Sequence, residues 1–100
     1  MIRWQRSIRS SGGRNLEAVQ WAKEVTDYVN SKQPNYKVQA FSSRFGDANM
    51  LVWQVDFDDL AALDKYQQFF NTDQGYWELI KKATGFFIEG TTYDSVFESL

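Results

Sequence analysis

The sequence predicts an α+β domain of the ferredoxin-like class, with a four-stranded antiparallel sheet and helices on one face. The first observation is the order of the hydrophobic patterns, which read strand, helix, strand over residues 2–45 and again over residues 50–93. This βαββαβ order is typical of the class. The second observation is a predicted third strand, residues 50–57, that is apolar on both faces. Because two helical regions can cover only one face, a partner is expected on the other.

The chain begins with a predicted strand over residues 2–9 and a long helix. In the strand, apolar residues alternate with polar ones and predict one buried face: Ile2, Trp4 and Ile8. Asn15 is expected to cap a helix that runs to about residue 30. Apolar residues at spacings of three and four predict its buried face: Ala18, Trp21, Ala22, Val25, Tyr28 and Val29.

Pro34 ends the helical region, and a second strand is predicted over residues 36–45. Residues 46–49, Gly-Asp-Ala-Asn, are expected to form a hairpin turn. The third strand, residues 50–57, follows this turn. One of its faces is apolar without interruption and contains Leu51, Trp53, Val55 and Phe57. Bulky apolar residues also lie on the other face, Met50 and Val52.

The second helical region is split into two pieces. Asp58 or Asp59 is expected to cap the first piece, and Asp73 the second. The buried face of the first piece is predicted to contain Leu60, Leu63, Tyr66 and Phe70, and that of the second Tyr76, Trp77, Ile80 and Ala83. A fourth strand is predicted over residues 86–93. Residues 94–100 are then a tail that docks on the domain or on a partner. The whole chain, residues 1–100, forms a single domain.

The composition excludes much of enzyme chemistry. The hundred residues contain neither histidine nor cysteine, so they can form no Ser-His or Cys-His nucleophile pair, no zinc site of His or Cys ligands, and no histidine-held haem. The carboxylates closest to an oxygen-ligand metal site are Asp56, Asp58 and Asp59. One of the last two is better explained as a helix cap. We therefore expect neither a metal nor another cofactor.

Cysteine usage, hydropathy and charge bear on location and partners. The lack of cysteine fits a reducing compartment and favours the cytoplasm. No apolar run approaches the roughly 18 residues of a membrane span, and the first residues lack a signal-peptide pattern, so no membrane association is expected. Four arginines precede the first acidic residue: Arg3, Arg6, Arg9 and Arg14. Those in the predicted strand alternate between its faces, which argues against nucleic-acid binding.

The segment Phe69-Phe70-Asn71-Thr72-Asp73-Gln74-Gly75-Tyr76-Trp77 looks like the helix, aspartate and aromatic helix sequence of one superfamily. Together with the element order over nearly the whole chain, it resembles the dimeric α/β-barrel superfamily, whose members include NIPSNAP-like proteins and antibiotic-biosynthesis monooxygenases. Gln74 and Gly75 depart from the Pro-Glu-Trp that NIPSNAP-like proteins often contain, so the subfamily stays open.

The resemblance implies a homodimer in which two sheets pack face to face and cavities are enclosed. Some members of the superfamily oxygenate aromatic polyketides without a cofactor, and many have no assigned activity. Haem-using relatives hold iron through histidine, which this chain lacks. The open sheet face predicted to form the dimer contains Phe41, Met50, Val52 and Phe87.

Arg6 interrupts the apolar face of the first strand, and a buried guanidinium is costly unless an acid pairs with it. One interpretation is a ligand site between sheet and helices, in which Arg6 orients an anionic or enolate oxygen of an aromatic ligand. The aromatic residues expected around it are Trp4, Trp53, Tyr66 and Trp77. The alternatives are an internal pair between Arg6 and a protein carboxylate, or an arginine side chain that reaches solvent at the sheet edge.

The opposite sheet face is expected to contain a polar layer inside the dimer: Arg3, Gln5, Gln39, Gln54, Asp56 and Glu89. Arg3 would pair with Asp56 or Glu89 across strands, because the first strand lies between the third and fourth in this topology.

Three functional hypotheses follow. The first is a homodimeric small-molecule-binding or accessory protein of unassigned activity. The second is a cofactor-independent oxygenase or isomerase acting on an aromatic, polyketide-like substrate, and the third is a structural or protein-interaction module. A solvent-poor pocket that contains Arg6 distinguishes the first two from the third.

Overall fold

The computed structural model describes residues 1–46 and 48–100. In this part of the chain, four strands form one antiparallel sheet in the order β2-β3-β1-β4. The elements along the chain are β1 (Ile2–Arg9), α1 (Asn15–Lys32), β2 (Gln39–Ser42), β3 (Met50–Phe57), α2 (Leu60–Asn71), α3 (Gln74–Lys82) and β4 (Tyr93–Glu98). The predicted ferredoxin-like α+β class is therefore confirmed, as are the bounds of the first and third strands.

The register of the two central strands fixes which side chains share a face. β1 and β3 pair over their full length, from Ile2 opposite Phe57 to Arg9 opposite Met50. Because successive side chains point to opposite faces, one set faces the helices. This helix-side face comprises Ile2, Trp4, Arg6 and Ile8 of β1, and Leu51, Trp53, Val55 and Phe57 of β3.

The core lies between the helix-side face and the three helices. From α1 it takes Ala18, Trp21, Ala22, Val25 and Val29, from α2 Leu63, Tyr66 and Phe70, and from α3 Leu79. The Trp21 ring meets Trp53 and Phe87 edge-on, with ring centroids 6.2 and 5.4 Å apart. Its Nε1–H donates to the carbonyl oxygen of Leu79 at 2.7 Å. Trp21 thus fastens α1 to α3 as well as to the sheet. Leu60, predicted on the buried face of α2, is instead 59% exposed in its first turn.

The predicted caps of the second helical region are correct, and that of the first helix is wrong. The Asp59 carboxylate accepts the Ala62 backbone N–H at 2.8 Å, and Asp73 caps α3 in the same way. Asn15 is already the first residue of α1, which Arg14 precedes without a side-chain cap. The Asn15 side-chain oxygen accepts a hydrogen bond from the Ser10 hydroxyl at 2.9 Å. It therefore ties the end of β1 to the helix.

The second strand is shorter than predicted. It spans Gln39–Ser42, where residues 36–45 were expected. Asn30 explains the late start, because its side chain accepts from Val38 N–H at 2.8 Å and donates to Val38 C=O at 3.0 Å. Both polar backbone groups of Val38 are thereby satisfied by α1. The predicted turn at residues 46–49 includes Asp47, which lies outside the described residues.

The predicted position of the fourth strand is wrong. Residues 86–93 were expected, but β4 is Tyr93–Glu98, which shares only Tyr93 with that range and otherwise lies in the predicted tail. Phe87 forms only an isolated bridge with Ser10. At Gly90 the backbone adopts a φ of 80°, a left-handed conformation that glycine tolerates, and the chain turns there before it pairs with β1. The turn explains why apolar residues on both sides of it do not form one strand.

No helix in the described part of the chain lies over the second sheet face, which contains Arg3, Gln5 and Ser7 of β1 and is here called the open face. The register places Tyr93 and Phe97 of β4 there in place of the predicted Phe87, which packs against Trp21 on the helix side. The predicted polar layer is present in part: Arg3 pairs with Asp56 through two hydrogen bonds, of 2.8 and 3.0 Å. The Gln54 amide donates to Gln5. Glu89 precedes β4 and is not in this layer.

Candidate functional site

A cavity of about 590 Å³ lies between the helix-side face and the helices. Its floor is formed by the sheet and its walls by all three helices. The floor includes Trp4, Arg6, Ile8, Trp53 and Val55, and the walls include Trp21, Val25, Val29, Tyr66, Phe70, Tyr76, Trp77 and Ile80. All four tryptophans of the chain line it. Most of its surface is therefore aromatic or aliphatic.

Each residue predicted for a ligand site lines this cavity. Trp4 and Trp53 lie on the floor, and Tyr66 and Trp77 on the α2 and α3 walls. The Trp77 Nε1–H donates to the Asn71 carbonyl oxygen at 2.9 Å, which holds this ring, 44% exposed, at the rim. The structure thus brings the five predicted residues together, whereas their contact with a ligand stays a prediction.

Arg6 forms an internal pair with a protein carboxylate, as one of the alternative interpretations of the sequence predicted. Asp94 stands opposite Arg6 in the β1–β4 register. The Arg6 Nε–H donates to Oδ1 of Asp94 at 2.7 Å and its Nη2–H to Oδ2 at 2.8 Å. These hydrogen bonds hold the pKa of Asp94 below its usual range, against the opposite effect of burial. The guanidinium also lies 5.1 Å from the ring centre of Trp4, so the cavity contains a paired cation.

Two tyrosines of the cavity lining, Tyr66 and Tyr76, supply further hydroxyl groups. Tyr66 is only 6% exposed, and no described residue forms a hydrogen bond with its hydroxyl. Every fully enclosed side-chain nitrogen or oxygen among the described residues has a partner, so the Tyr66 hydroxyl is not fully enclosed, and Tyr66 is one of the residues that line the cavity. Burial raises the pKa of both Tyr66 and Tyr76. Both phenols therefore keep their protons at neutral pH and can donate them.

The sequence interpretation missed Asp94 and Tyr76 as site residues. Asp94 was assigned to the tail, because the fourth strand was placed too early. One signal was available: Arg6 needed an acid on a neighbouring strand, and Asp94 directly follows the predicted fourth strand. Tyr76 was recognised as a core-facing residue of α3, but nothing in the sequence places its hydroxyl near Arg6.

Potential metal ligands do not cluster in the part of the chain that the structure describes: it has no group of three or more Asp or Glu side chains suited to hold an ion. Asp59 serves as a helix cap and Asp56 pairs with Arg3. Among the described residues, no helix is long and apolar enough to cross a membrane.

The fold and this cavity define a small α+β domain with an aromatic interior site and an open sheet face. Solved structures share that fold. An uncharacterised NIPSNAP domain protein from Burkholderia xenovorans has a TM-score of 0.83 at 12% identity, with 100% of this chain and 95% of that one covered. A NIPSNAP family protein of unknown function from Agrobacterium tumefaciens has a TM-score of 0.83 at 14% identity, with 99% and 87% covered.

A structure of an antibiotic biosynthesis monooxygenase is also similar, with a TM-score of 0.72 at 12% identity and coverage of 100% of this chain and 99% of that one. No family model matches the chain, and no curated protein matches it in sequence. The resemblance seen in the sequence is therefore confirmed at the level of the fold, which this chain shares with NIPSNAP proteins and antibiotic biosynthesis monooxygenases.

Proposed function

We propose that this protein is a homodimer that binds a small, largely aromatic molecule in the cavity. The observation that supports the proposal most is the cavity itself. Its volume of about 590 Å³ lies inside the range of roughly 300 to 1,000 Å³ common for ligand sites, which are mostly apolar with a few polar groups. Helix packing alone does not require such a space, because protein cores are close-packed.

The five predicted residues have distinct roles in this proposal. Trp4, Trp53 and Trp77 offer aromatic surfaces to a planar ligand, since offset and edge-to-face contacts between rings are favourable. Tyr66 and Arg6 supply hydrogen-bond donors that orient the ligand's polar end. The rim position of Trp77 makes it the residue that a ligand meets first.

The dimer part of the proposal rests on the open face. Phe41, Tyr93 and Phe97 are 47, 70 and 52% exposed on it, and no helix covers them. A second copy of the same face would bury these side chains and bring the Arg3–Asp56 pair into the interface. A stable interface of this kind buries more than about 1,000 Å².

A cofactor-independent oxygenase is the second candidate. The donors around Arg6 favour it, because they could stabilise a phenolate or enolate oxygen that reacts with molecular oxygen. The balanced reaction is oxidation of a phenol ring to a quinone, in which one O₂ supplies one oxygen to the ring and the other leaves as water. An oxygen electrode with 1-naphthol as substrate tests it.

We place the protein in the cytoplasm, an assignment that the lack of cysteine supports.

The binding proposal is tested by titrating the protein with 2-acetylnaphthalene, whose absorption overlaps tryptophan emission. Because all four tryptophans line the cavity, binding there should quench most of the intrinsic fluorescence. Ala83 also lines the cavity, so the Phe side chain of Ala83→Phe should fill part of it. The affinity obtained from the quenching titration should then fall at least tenfold. Leu16→Phe is the matched control, since Leu16 is 71% exposed on α1. Saturable quenching that both variants retain would refute binding in this cavity.

A further inference from the structure

The donors in the cavity are arranged around a charge pair that is already neutral. Arg6 is the one charged residue among the described residues that line the cavity. Asp94 takes two of its N–H groups, from Nε and Nη2. The Nη1 group has no partner among the described residues, so it remains a donor without bringing net charge to a ligand.

The two tyrosine hydroxyls lie in the same part of the cavity. The Tyr66 and Tyr76 rings both pack against Phe70, with ring centroids 5.0 and 5.2 Å from it. Besides burial, the charges of Arg6 and Asp94 influence the pKa of Tyr76, so its hydroxyl is within electrostatic reach of the pair. Nothing in the described chain forms a hydrogen bond with the side-chain hydroxyl of Tyr66 or Tyr76.

These groups prefer a neutral acceptor to an anion. A carboxylate would lose hydration on entering a largely aromatic cavity, and it would gain no unbalanced cation there, because Asp94 already balances the charge of Arg6. A carbonyl oxygen has no such cost and can accept from several donors. An ammonium group would find no carboxylate among the described residues that line the cavity, and the charge of Asp94 is already balanced by Arg6.

We propose that the cavity recognises an uncharged aromatic molecule through a carbonyl-type oxygen, which accepts hydrogen bonds from Tyr66 and Tyr76 beside the Arg6–Asp94 pair. This inference rests on the proposed ligand-binding function and narrows it. It revises the expectation of an anionic ligand, because the charge of Arg6 is used within the protein. A ketone or quinone on a fused-ring scaffold has the required chemistry.

Three naphthalenes of matched shape test the inference by equilibrium dialysis: 2-acetylnaphthalene, 2-naphthoate and 2-isopropylnaphthalene. The ketone should bind at least tenfold more tightly than the carboxylate. Tyr66→Phe and Tyr76→Phe should each weaken ketone binding about three- to tenfold, the usual effect of one hydrogen bond, and leave binding of the hydrocarbon unchanged. Ser31→Ala, which removes an exposed hydroxyl of α1 that does not line the cavity, is the control and should change neither.

The melting temperatures of the variants separate binding from a structural role. Because no protein group pairs with the Tyr66 hydroxyl, Tyr66→Phe should leave the melting temperature of the ligand-free protein unchanged or raise it. Tighter binding of 2-naphthoate, or equal losses for ketone and hydrocarbon in both variants, would overturn the inference while leaving ligand binding intact. Failure of all three probes to bind would overturn the proposed function with it.

Discussion

Arg6 and Asp94 face each other across β1 and β4 with two parallel hydrogen bonds, from Nε to Oδ1 at 2.7 Å and from Nη2 to Oδ2 at 2.8 Å. Arg6 lines the cavity and Asp94 does not, so the pair links β4 to a residue of the cavity floor. Both side chains are about 40% exposed. The charges are therefore screened by solvent, and their net contribution to folding is small.

We expect Arg6→Met to lower the free energy of unfolding by only about 1 kcal/mol, since Asp94 keeps access to water. A fully buried pair would lose several times more. The double variant Arg6→Met/Asp94→Leu should recover most of the loss. Urea unfolding of Arg6→Met, Asp94→Leu, the double variant and the parent protein measures the coupling free energy between the two side chains. A loss above about 3 kcal/mol for Arg6→Met alone would show that solvent does not screen the pair.

The pH dependence of stability should reflect three paired aspartates. Arg6 lowers the pKa of Asp94, Arg3 that of Asp56, and the hydrogen bond from Tyr28 that of Asp73. These carboxylates bind protons more weakly in the folded state than in the unfolded chain. Their stabilisation is thus fully present above about pH 4, the usual aspartate pKa, and is lost as the pH falls through the lower folded values.

We therefore expect the urea midpoint to fall between pH 6 and pH 3, and to fall less in Asp94→Asn, which has one fewer carboxylate to protonate. Circular dichroism at a series of pH values gives the midpoints. A midpoint that stays constant down to pH 3 would contradict the role assigned to these pairs.

The oligomeric state tests the use of the open face. Light scattering at micromolar concentration should give about twice the chain mass of 11.7 kDa. Val52 lies on the open face, paired with Ser7 and Phe41, so Val52→Asp should place a charge in the interface and produce monomers. Leu16→Asp on the outer side of α1 is the control and should stay dimeric. A parent protein of 11.7 kDa would rule out the dimer.

The two central strands were predictable because apolar residues recur at every second position on one face of each: Ile2, Trp4 and Ile8 in β1, with Arg6 between them, and Leu51, Trp53, Val55 and Phe57 in β3. The position of β4 was not, since Phe86 and Phe87 are as apolar as Val96 and Phe97 and only the turn at Gly90 decides between them. The candidate site also contains one residue that could be predicted from the sequence and one that could not. Arg6 was recognisable because it interrupts an apolar face, whereas its partner depends on a strand register that no local pattern encodes.

The contact between α1 and α3 depends on a glycine. The Tyr28 hydroxyl donates to Asp73 Oδ2 at 2.5 Å, and the same carboxylate caps α3 by accepting the Tyr76 N–H at 3.0 Å. A Cβ at Gly75 would overlap that hydroxyl and lie 2.8 Å from Cζ of the Tyr28 ring. The Tyr28 ring cannot retreat without breaking its hydrogen bond to Asp73.

Gly75→Ala therefore sets two effects against each other. Alanine in place of glycine usually stabilises a helix by about 0.5–1 kcal/mol, but overpacking costs about 1–3 kcal/mol. We expect the second effect to exceed the first and the free energy of unfolding to fall by about 1 kcal/mol, measured by urea unfolding. In a Tyr28→Leu background the obstruction is gone, so the same substitution should become neutral or stabilising. If Gly75→Ala has the same effect in both backgrounds, the Tyr28 hydroxyl does not restrict this position.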